Sequence, residues 1–341
     1  LKMTDLNSIN VFYFVTSIFV IISFFIFFEI IANFVNIFDK PEKIRKIHSK
    51  KTPPIGGFIF YIIFLSYSLC VLIFDFQSQL FTNNKQIISF ILCSSLIFFT
   101  GIIDDKYNLN SLKKIVYFVI IILIYLLNDQ QAQIFFLRFE TFNSTLALDN
   151  FSLFFSIFCI FVFINALNMF DGINLQSGLY LLLISAIFFI KNIDPMFFVL
   201  NIIALIFFLY FNFKNKVFLG NNGIYFLAFL FSIFFIKSNN YIGKIIIEEI
   251  AILMMIPGLD MFRLFFNRIF NGKSPFLADK NHIHHILLNK YNNTKVALII
   301  FLLTLIPYFL YAMYGYLIFI LNLQILSYFL IIKSSKKVKS I

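Results

Sequence analysis

Apolar runs nearly as long as a bilayer is thick recur along the whole chain, separated by short polar segments. Of its 341 residues, 61% are hydrophobic, and 53 are Phe. A helix needs about 20 consecutive apolar residues to cross the hydrocarbon core of a membrane, where lipid offers no hydrogen bonds to exposed backbone groups. These runs exclude a soluble globular protein. They predict an all-α polytopic integral membrane protein, with residues 1–341 forming a single transmembrane domain.

Hydropathy predicts about eleven membrane-spanning helices. They are expected near 9–34, 55–75, 87–103, 113–128, 151–169, 177–190, 196–213, 224–236, 247–265, 295–313 and 316–332. The first run starts near Ile9 without a preceding basic region or a small-residue cleavage site. This start favours a retained helix over a cleaved signal peptide.

The basic side chains predict the orientation of these helices. With the N-terminus outside and the C-terminus in the cytosol, most of the 27 Lys and Arg residues fall on the inner side, as the positive-inside rule requires. The formal net charge of +11 is therefore a topology signal. Because the cations are spread over several loops, we exclude a nucleic-acid-binding patch; the basic tail is expected to touch anionic lipid.

One outer segment carries a different pattern. Between residues 128 and 150, apolar residues alternate with polar ones around turn-forming residues, which is typical of paired strands. We predict a small β-hairpin at 134–148, on the periplasmic face of the membrane.

The polar segment from Pro257 to His285 contains three of the four histidines of the chain and several cations. Three interpretations of it are open. Its H-x-H-H run could form a zinc site, although no further Cys or carboxylate ligands lie at zinc-like spacing, and the segment could simply be a solvated loop. Phosphate binding is favoured, because long basic side chains and imidazoles are the usual partners of phosphate oxygens.

A second polar segment, Asp39 to Gly57, places His48 among cations and ends in Pro53-Pro54 and Gly56-Gly57. Its simplest interpretation is a basic inner loop. The paired glycines at the start of a predicted span would also let the backbone approach a neighbour or a ligand closely.

Adjacent carboxylates end the third predicted span, at Asp104 and Asp105. They could be a helix-end acidic pair facing water. Two like charges at a membrane face repel each other unless a cation offsets them. The pair therefore indicates a metal or acid–base site.

On the fifth predicted helix, Asn165, Asn168 and Asp171 recur at helical spacing and share about one face. Amides at this spacing are also typical of a contact between membrane helices. With the nearby carboxylates, Asp171 would supply the oxygen ligands that Mg²⁺ takes. The Gly-bounded segment 214–223 is explained by turn chemistry alone.

Taken together, these segments resemble the bacterial polyprenyl-phosphate N-acetylhexosamine-1-phosphate transferases of glycosyltransferase family 4. The resemblance covers about Asp39 to His285. Its motifs are His48 with P-P-x-G-G at 53–57, Asp104-Asp105, N-A-L-N-M-F-D-G at 165–172, F-L-G-x-x-G at 218–223, and R-x₃-G-K-S-P-F-x-x-D-x-x-H-I-H-H at 268–285. The H-x-H-H form resembles the GlcNAc-1-phosphate branch of the UDP-GlcNAc:undecaprenyl-phosphate enzymes, not the pentapeptide branch.

The resemblance implies that the protein transfers a HexNAc-1-phosphate from a UDP-N-acetylhexosamine to undecaprenyl phosphate. The reaction would depend on Mg²⁺, with Mn²⁺ as an alternative. UMP leaves, and a lipid-linked cell-envelope glycan such as lipopolysaccharide O-antigen is begun. Asp171 and Asn221 would hold the metal, while Asp104 would act as general base or orient the lipid phosphate with Asp105 as its partner. The substrate-binding residues implied are His48, Lys113, Asn165, Asn168, Arg268, His282, His284 and His285.

Two departures from the family pattern bear on activity. Asn221 stands where the family usually has the Asp of G-D-x-G, and Asn174 stands where it has the second Asp of D-G-x-D. The Gly-Leu that follows in the family is Leu175-Gln176 here. An amide can still bind Mg²⁺ through oxygen, but each replacement removes a negative charge.

Three alternatives follow. The chain could be a catalytically impaired relative that acts as a binding protein, a transferase for another UDP-HexNAc, or a transporter. The last is disfavoured because the carboxylates cluster at one membrane face and no inverted repeat is apparent. The expected location is the bacterial cytoplasmic (inner) membrane, with the active site facing the cytosol. The expected partners are the two substrates and membrane lipid, with a homodimer left open and no nucleic acid.

Overall fold

The computed structural model describes residues 3–39, 51–74, 76–274 and 281–336. Regular structure in this described part is thirteen α-helices, one two-stranded hairpin and three short 3₁₀ or π turns. The helices are α1 (Met3–Ile26), α2 (Phe28–Val35), α3 (Gly56–Phe74), α4 (Asn84–Tyr107), α5 (Ser111–Asn128), α6 (Ser152–Phe170), α7 (Gln176–Ile190), α8 (Pro195–Phe213), α9 (Gly220–Lys237), α10 (Ile247–Phe270), α11 (Ile283–Leu287), α12 (Asn293–Tyr314) and α13 (Leu317–Lys336).

The prediction of an all-α membrane protein is confirmed. Each segment predicted from hydropathy coincides with a long helix, the first of them with α1 and α2 together. In the described ranges, eight helices are long and apolar enough to cross a membrane, or nine if α1 and α2, bent by 72°, form one span. The apolar α7 has only 15 residues, and α10 carries several charged side chains. The number of spans and the orientation stay predictions.

Helix α9 is the core of the bundle. Of the residues in its apolar stretch, 89% are buried inside the protein. The helix packs against α3, α4 and α6. A helix that is apolar on all sides must be enclosed by other helices. Aromatic rings surround it: the ring of Phe226 lies 5.3 Å from that of Phe64 and 5.6 Å from that of Tyr61.

The C-terminal end of α9 is held by a buried ion pair. Lys237 Nζ lies 2.8 Å from Asp129 Oδ2, and neither side chain is exposed. The Tyr125 hydroxyl donates to the same oxygen at 2.8 Å. Because a buried charge is tolerated only when it is paired and hydrogen-bonded, this contact fixes α9 against the end of α5.

The predicted hairpin is confirmed at the same end of the bundle. Strands β1 (Phe136–Phe139) and β2 (Ser144–Ala147) pair antiparallel, with Phe136 opposite Ala147. The turn between them contacts α10, where the Thr141 N–H donates to Glu248 Oε1 at 3.1 Å.

The turn between α6 and α7 has an unusual backbone. Leu175 has φ +71°, in the left-handed region, where a side chain is normally strained. Its N–H donates to Asn212 Oδ1 at 2.7 Å, and the Asn174 amide donates to Asn215 Oδ1 at 2.6 Å. These contacts from the end of α8 hold the turn. Glycine, which the resemblance implies at this position, adopts such a backbone without strain.

We therefore expect an inverted stability order at Leu175. Glycine is normally less stable than alanine within structured elements, but at this φ it removes about 1–2 kcal/mol of strain. Leu175→Gly should be more stable than Leu175→Ala by about 1 kcal/mol, measured by thermal unfolding in detergent.

The matched control is Leu179, also half-buried but in the regular first turns of α7. There the alanine variant should be the more stable of the two. The same order at both positions would contradict the strain at Leu175.

Candidate functional site

Two of the predicted polar segments meet at the first turn of α9. The N–H groups of Gly56 and Gly57 donate to the carbonyl oxygens of Phe218 and Leu219 at 2.9 and 3.0 Å. In the other direction, the Phe218 N–H donates to Pro53 O at 3.0 Å. The P-P-x-G-G segment thus runs alongside the F-L-G segment.

Glycine allows this close approach. A Cβ added to Gly223 would lie only 2.7 Å from the Cα atom of Gly57. Because real Cβ contacts are not this short, the starts of α3 and α9 could not pack in this way with a side chain at that position.

Asp105 closes the N-terminal end of α9. Its Oδ1 accepts from the Asn221 N–H at 2.9 Å, and its Oδ2 accepts from the Asn222 N–H at 3.1 Å. The first N–H groups of a helix have no partner within it, and a negative charge is favoured there by the helix dipole. The third polar segment is therefore joined to the other two.

Asp104 is buried, with 1% of the residue exposed. Its Oδ2 lies 2.7 Å from Lys114 Nζ and accepts from the Tyr225 hydroxyl at 2.8 Å. Its Oδ1 accepts from the Leu109 N–H at 2.8 Å. Both carboxylates of the predicted pair are thus hydrogen-bonded within the protein.

Lys114 is the cation next to this pair, whereas Lys113 is the neighbouring lysine that was predicted to bind substrate. Lys113 is exposed, and its ammonium makes no hydrogen bond or ion pair with the described residues. The phase of α5 could have distinguished them. Lys114 shares a face with the buried Phe118, Ile121 and Tyr125, and residues at this spacing lie on one side of a helix.

Asp171 follows α6 directly and is largely buried. Its Oδ1 accepts from the Ser177 hydroxyl at the start of α7. Burial raises the pKa of Asp171 to about 6, and the Ser177 hydrogen bond acts in the opposite direction. Its Oδ2 accepts no hydrogen bond from the described residues.

The turn after Asp171 touches the histidine segment. A Cβ added to Gly172 would overlap the ring of His284. The rings of His282 and His284 are parallel with centroids 5.3 Å apart, and His285 lies 4.3 Å from His284 by the same measure. A cluster of three imidazoles therefore lies against the turn that follows the predicted metal ligand.

His284 is the most enclosed of the three. Burial lowers its pKa to about 3, and the neighbouring His285 and His282 lower it further. Its Nδ1 is buried without a hydrogen-bond partner among the described residues. His284 is therefore neutral at physiological pH.

Asp260, which the sequence analysis did not select, fixes the histidine segment to α10. Its Oδ2 lies 2.8 Å from His282 Nδ1, and its Oδ1 accepts from the Ile283 N–H at 3.0 Å and from the Tyr328 hydroxyl at 2.8 Å. Arg263 Nη2 lies 2.9 Å from the same Oδ1. An Asp and an Arg three residues apart in an apolar helix could have indicated this ion pair from the sequence.

The remaining predicted residues are distributed around this region. The Asn165 amide donates to Phe161 O of its own helix at 2.8 Å, and Asn168 is half-buried one turn further along α6. Arg268 is buried near the end of α10. Asn221 is half-buried. His48 lies outside the described residues.

Contacts link all five polar segments at one end of the bundle. Asn212 and Asn215 connect the Asp171 turn to the chain before α9. The Thr52 hydroxyl donates to Asn215 O at 3.2 Å. With the contact between Gly172 and His284, the segments form one candidate site.

The two oxygen donors that the resemblance assigns to magnesium are of the kind that this ion takes. In the described ranges no three His, Cys, Asp or Glu side chains are grouped to hold a metal. Mg²⁺, however, usually takes one or two protein carboxylates and completes its shell with water and substrate phosphates. Asp171 Oδ2 and the Asn221 amide oxygen suit this arrangement, because neither is occupied by a described hydrogen bond.

Comparison with known proteins agrees with the resemblance of the motifs. The profile of "Glycosyl transferase family 4" matches residues 87–239, which include Asp104, Asp171 and Asn221. The undecaprenyl-phosphate alpha-N-acetylglucosaminyl 1-phosphate transferase of Escherichia coli K12 is 26% identical over 305 residues, covering 83% of this chain and 78% of its own.

Two further relatives are similar over most of the chain. A probable undecaprenyl-phosphate N-acetylglucosaminyl 1-phosphate transferase of Bacillus subtilis is 26% identical, over 73% of this chain and 69% of its own. A phospho-N-acetylmuramoyl-pentapeptide-transferase of Dictyoglomus turgidum is 27% identical, over 81% and 91% respectively.

We expect Asp260→Ala to release the histidine segment. The change removes the acceptor of four donors and leaves Arg263 without its carboxylate, a loss of about 3–5 kcal/mol for a buried pair. Denaturant unfolding in detergent would measure it. As a control, Glu140→Ala, at an exposed position in the turn between β1 and β2, should change stability by less than about 0.5 kcal/mol. Equal stability of the two variants would contradict the anchoring role.

Proposed function

We propose that the chain is a member of glycosyl transferase family 4, whose profile matches residues 87–239, and that it transfers N-acetylhexosamine-1-phosphate to undecaprenyl phosphate, as the names of similar proteins indicate. The donor is a UDP-N-acetylhexosamine, UDP-GlcNAc first among them, and UMP is the leaving product. The names of three relatives support the acceptor and the GlcNAc-1-phosphate group.

The observation that carries the proposal is the contact between the Asp171 turn and the histidine segment. It places the turn that follows Asp171, whose Oδ2 accepts no hydrogen bond from the described residues, against His284, which is one of three clustered imidazoles. A diphosphate needs both a metal ligand and hydrogen-bond donors within a few ångströms. The contact supports a diphosphate substrate better than it supports a binding surface for a neutral molecule.

In the proposed reaction, a phosphate oxygen of the lipid attacks the β-phosphorus of the UDP-sugar. The bond between this phosphorus and the oxygen bridging to the α-phosphate breaks, and UMP takes the electron pair. The lipid phosphate is already mostly ionised near neutral pH. The protein therefore has mainly to align the two phosphates and neutralise their charge.

The residues take distinct parts in this scheme. Asp171 would hold Mg²⁺ with the amide oxygen of Asn221, and the ion would supply charge neutralisation to the diphosphate. Lys114 stands at the site with its ammonium partly exposed and oriented by Asp104.

Other side chains are proposed to bind substrate. Neutral His284 can donate through one ring nitrogen, while His282 and His285 contribute from the same cluster. His48, Lys113, Asn165, Asn168 and Arg268 keep the substrate-binding roles that the resemblance implies.

The protein is a multi-pass membrane protein. We place it in the bacterial inner membrane with the site facing the cytosol, where UDP-sugars are available. The concentration of cations in the loops at the same end of the bundle supports this orientation. O-antigen as the final polymer and a homodimeric state stay predictions.

Asn221 is the one feature that favours an impaired binding protein, and a direct assay separates the two functions. Membranes containing the protein are incubated with undecaprenyl phosphate, UDP-GlcNAc and Mg²⁺, and UMP release is measured beside Asn221→Asp. We expect release by the unmodified protein.

Each other outcome has a defined meaning. Release only by Asn221→Asp would identify a disabled relative with an intact scaffold. If neither the unmodified protein nor Asn221→Asp releases UMP, GlcNAc is contradicted as the sugar. The assay would then be repeated with other UDP-HexNAc donors.

We also expect Asp171→Asn to lower UMP release by at least about 100-fold at ordinary Mg²⁺ concentrations, because it removes the only full negative charge of the proposed metal site. The variant should remain folded in detergent, as judged by size-exclusion chromatography. Asp149→Asn, at an exposed position before α6, is the control. Full turnover by Asp171→Asn would rule out the metal-ligand assignment.

A further inference from the structure

Asn222 is a buried polar residue at the centre of the junction between α3, α4 and α9. Only 1% of it is exposed. Its side-chain amide Nδ2 donates to Asp105 Oδ2 at 2.6 Å and to Pro54 O at 2.7 Å. One side chain therefore joins the end of α4 to the segment that precedes α3.

The packing around Asn222 is equally close. A Cβ added to Gly57 would overlap its Oδ1, and a Cβ added to Gly101 would overlap its backbone. Because both neighbours are glycines, the asparagine fits between two helices that a larger side chain would push apart.

The two adjacent asparagines have different surroundings. Asn222 donates both amide hydrogens to acceptors inside the protein. The half-buried side chain of Asn221, in contrast, makes no hydrogen bond with the described residues. The N–H groups of both residues nevertheless bond to the same carboxylate, Asp105. Any movement of Asp105 would therefore move the first turn of α9, including Asn221.

Loss of the Asn222 amide would affect both partners. Pro54 O would lose the donor that reaches it from α9, and Asp105 Oδ2 would keep only the Asn222 N–H. The backbone bonds between 53–57 and 218–219 would remain, as would the bonds from the N–H groups of Asn221 and Asn222 to Asp105, but no side chain in the described part of this junction would then join Pro54 to Asp105.

We infer that Asn222 is a positioning residue, whose amide ties Pro54 to Asp105 and thereby holds Asn221 in place at the candidate site. The catalytic consequence rests on the proposed function. The contacts of the Asn222 amide with Pro54 and Asp105 can be tested without measuring UMP release.

The first readout is hydrogen exchange of the detergent-purified full chain, comparing Asn222→Ala with the unmodified protein. The amides of Gly56, Gly57 and Phe218 should exchange about 10-fold faster in the variant, because a buried hydrogen bond that restrains them is lost. Amides in the middle of α8 should be unchanged.

The matched control is Asn201→Ala. Asn201 is also 1% exposed, but its amide donates only to Phe197 O of its own helix, at 3.2 Å. It should leave the exchange of Gly56, Gly57 and Phe218 unchanged.

The second readout is the Mg²⁺ concentration for half-maximal UMP release, measured well below the unfolding temperature of each variant. Residues that orient a metal ligand typically contribute 10- to 100-fold to metal affinity. We expect Asn222→Ala to raise this concentration about 10-fold and Asn201→Ala to leave it unchanged. A purely structural role would lower the amount of folded protein without moving this value.

Should Asn222→Ala not fold, Asn222→Leu takes its place in both experiments. Leucine has about the same shape as asparagine but no donor for Pro54 O or Asp105, so it should act in the same direction.

The outcomes separate the two proposals. If the amides of Gly56, Gly57 and Phe218 exchange no faster in Asn222→Ala than in Asn201→Ala, Asn222 does not join Pro54 to Asp105. If they exchange faster but the Mg²⁺ concentration for half-maximal UMP release is unchanged, Asn222 is not a positioning residue. If the unmodified protein releases no UMP from any UDP-HexNAc, the proposed function fails, and exchange alone decides whether Asn222 joins the two segments.

Discussion

The enclosure of α9 is the constraint on which the other contacts depend. This helix is apolar on all sides and almost fully buried, so its unpaired terminal groups must be satisfied by residues from other helices. Asp105 accepts from the N–H groups at its N-terminal end, and Lys237 at its C-terminal end pairs with Asp129. Each charge has the sign that the helix dipole favours at that end. The same contacts set the positions of α4 and α5.

The candidate site is built from helix ends that this core holds in place. Asp171 ends α6, Ser177 lies in the first turn of α7, and the Asp105 contacts begin α9. The histidine segment is held by Asp260 on α10. Polar side chains at helix ends can reach water and substrate while the helices remain in lipid. One face of an apolar bundle thereby gains the charges that the proposed diphosphate substrate requires.

Much of the fold follows from the sequence, because the length of an apolar run and the alternation of residues 134–148 are local properties. The meeting of the polar segments was expected from the resemblance, and the contacts of Gly57 and Gly172 now give it a physical form. The partners of individual side chains could not be predicted in the same way. That Lys114, and not Lys113, pairs with Asp104 depends on the phase of α5.

Long-range pairing was the larger obstacle. The sequence does not state which carboxylate meets the histidines, and Asp260 lies 22 residues from His282. The hydrogen bonds of Asn222 join positions 117 and 168 residues apart. Leu175 is a different case: its left-handed backbone is imposed by the Asn212 and Asn215 contacts, against the preference of leucine itself.

The central claim is that a sugar phosphate, not a sugar alone, passes to the lipid. The most direct test uses UDP-GlcNAc labelled separately in the β-phosphate and in the sugar. It is incubated with the purified protein, undecaprenyl phosphate and Mg²⁺, and the lipid is then extracted. The account predicts both labels in the lipid fraction in equal amounts, with UMP in the water. Sugar label in the lipid with the β-phosphate label left in the water would mean simple glycosyl transfer and would contradict the account.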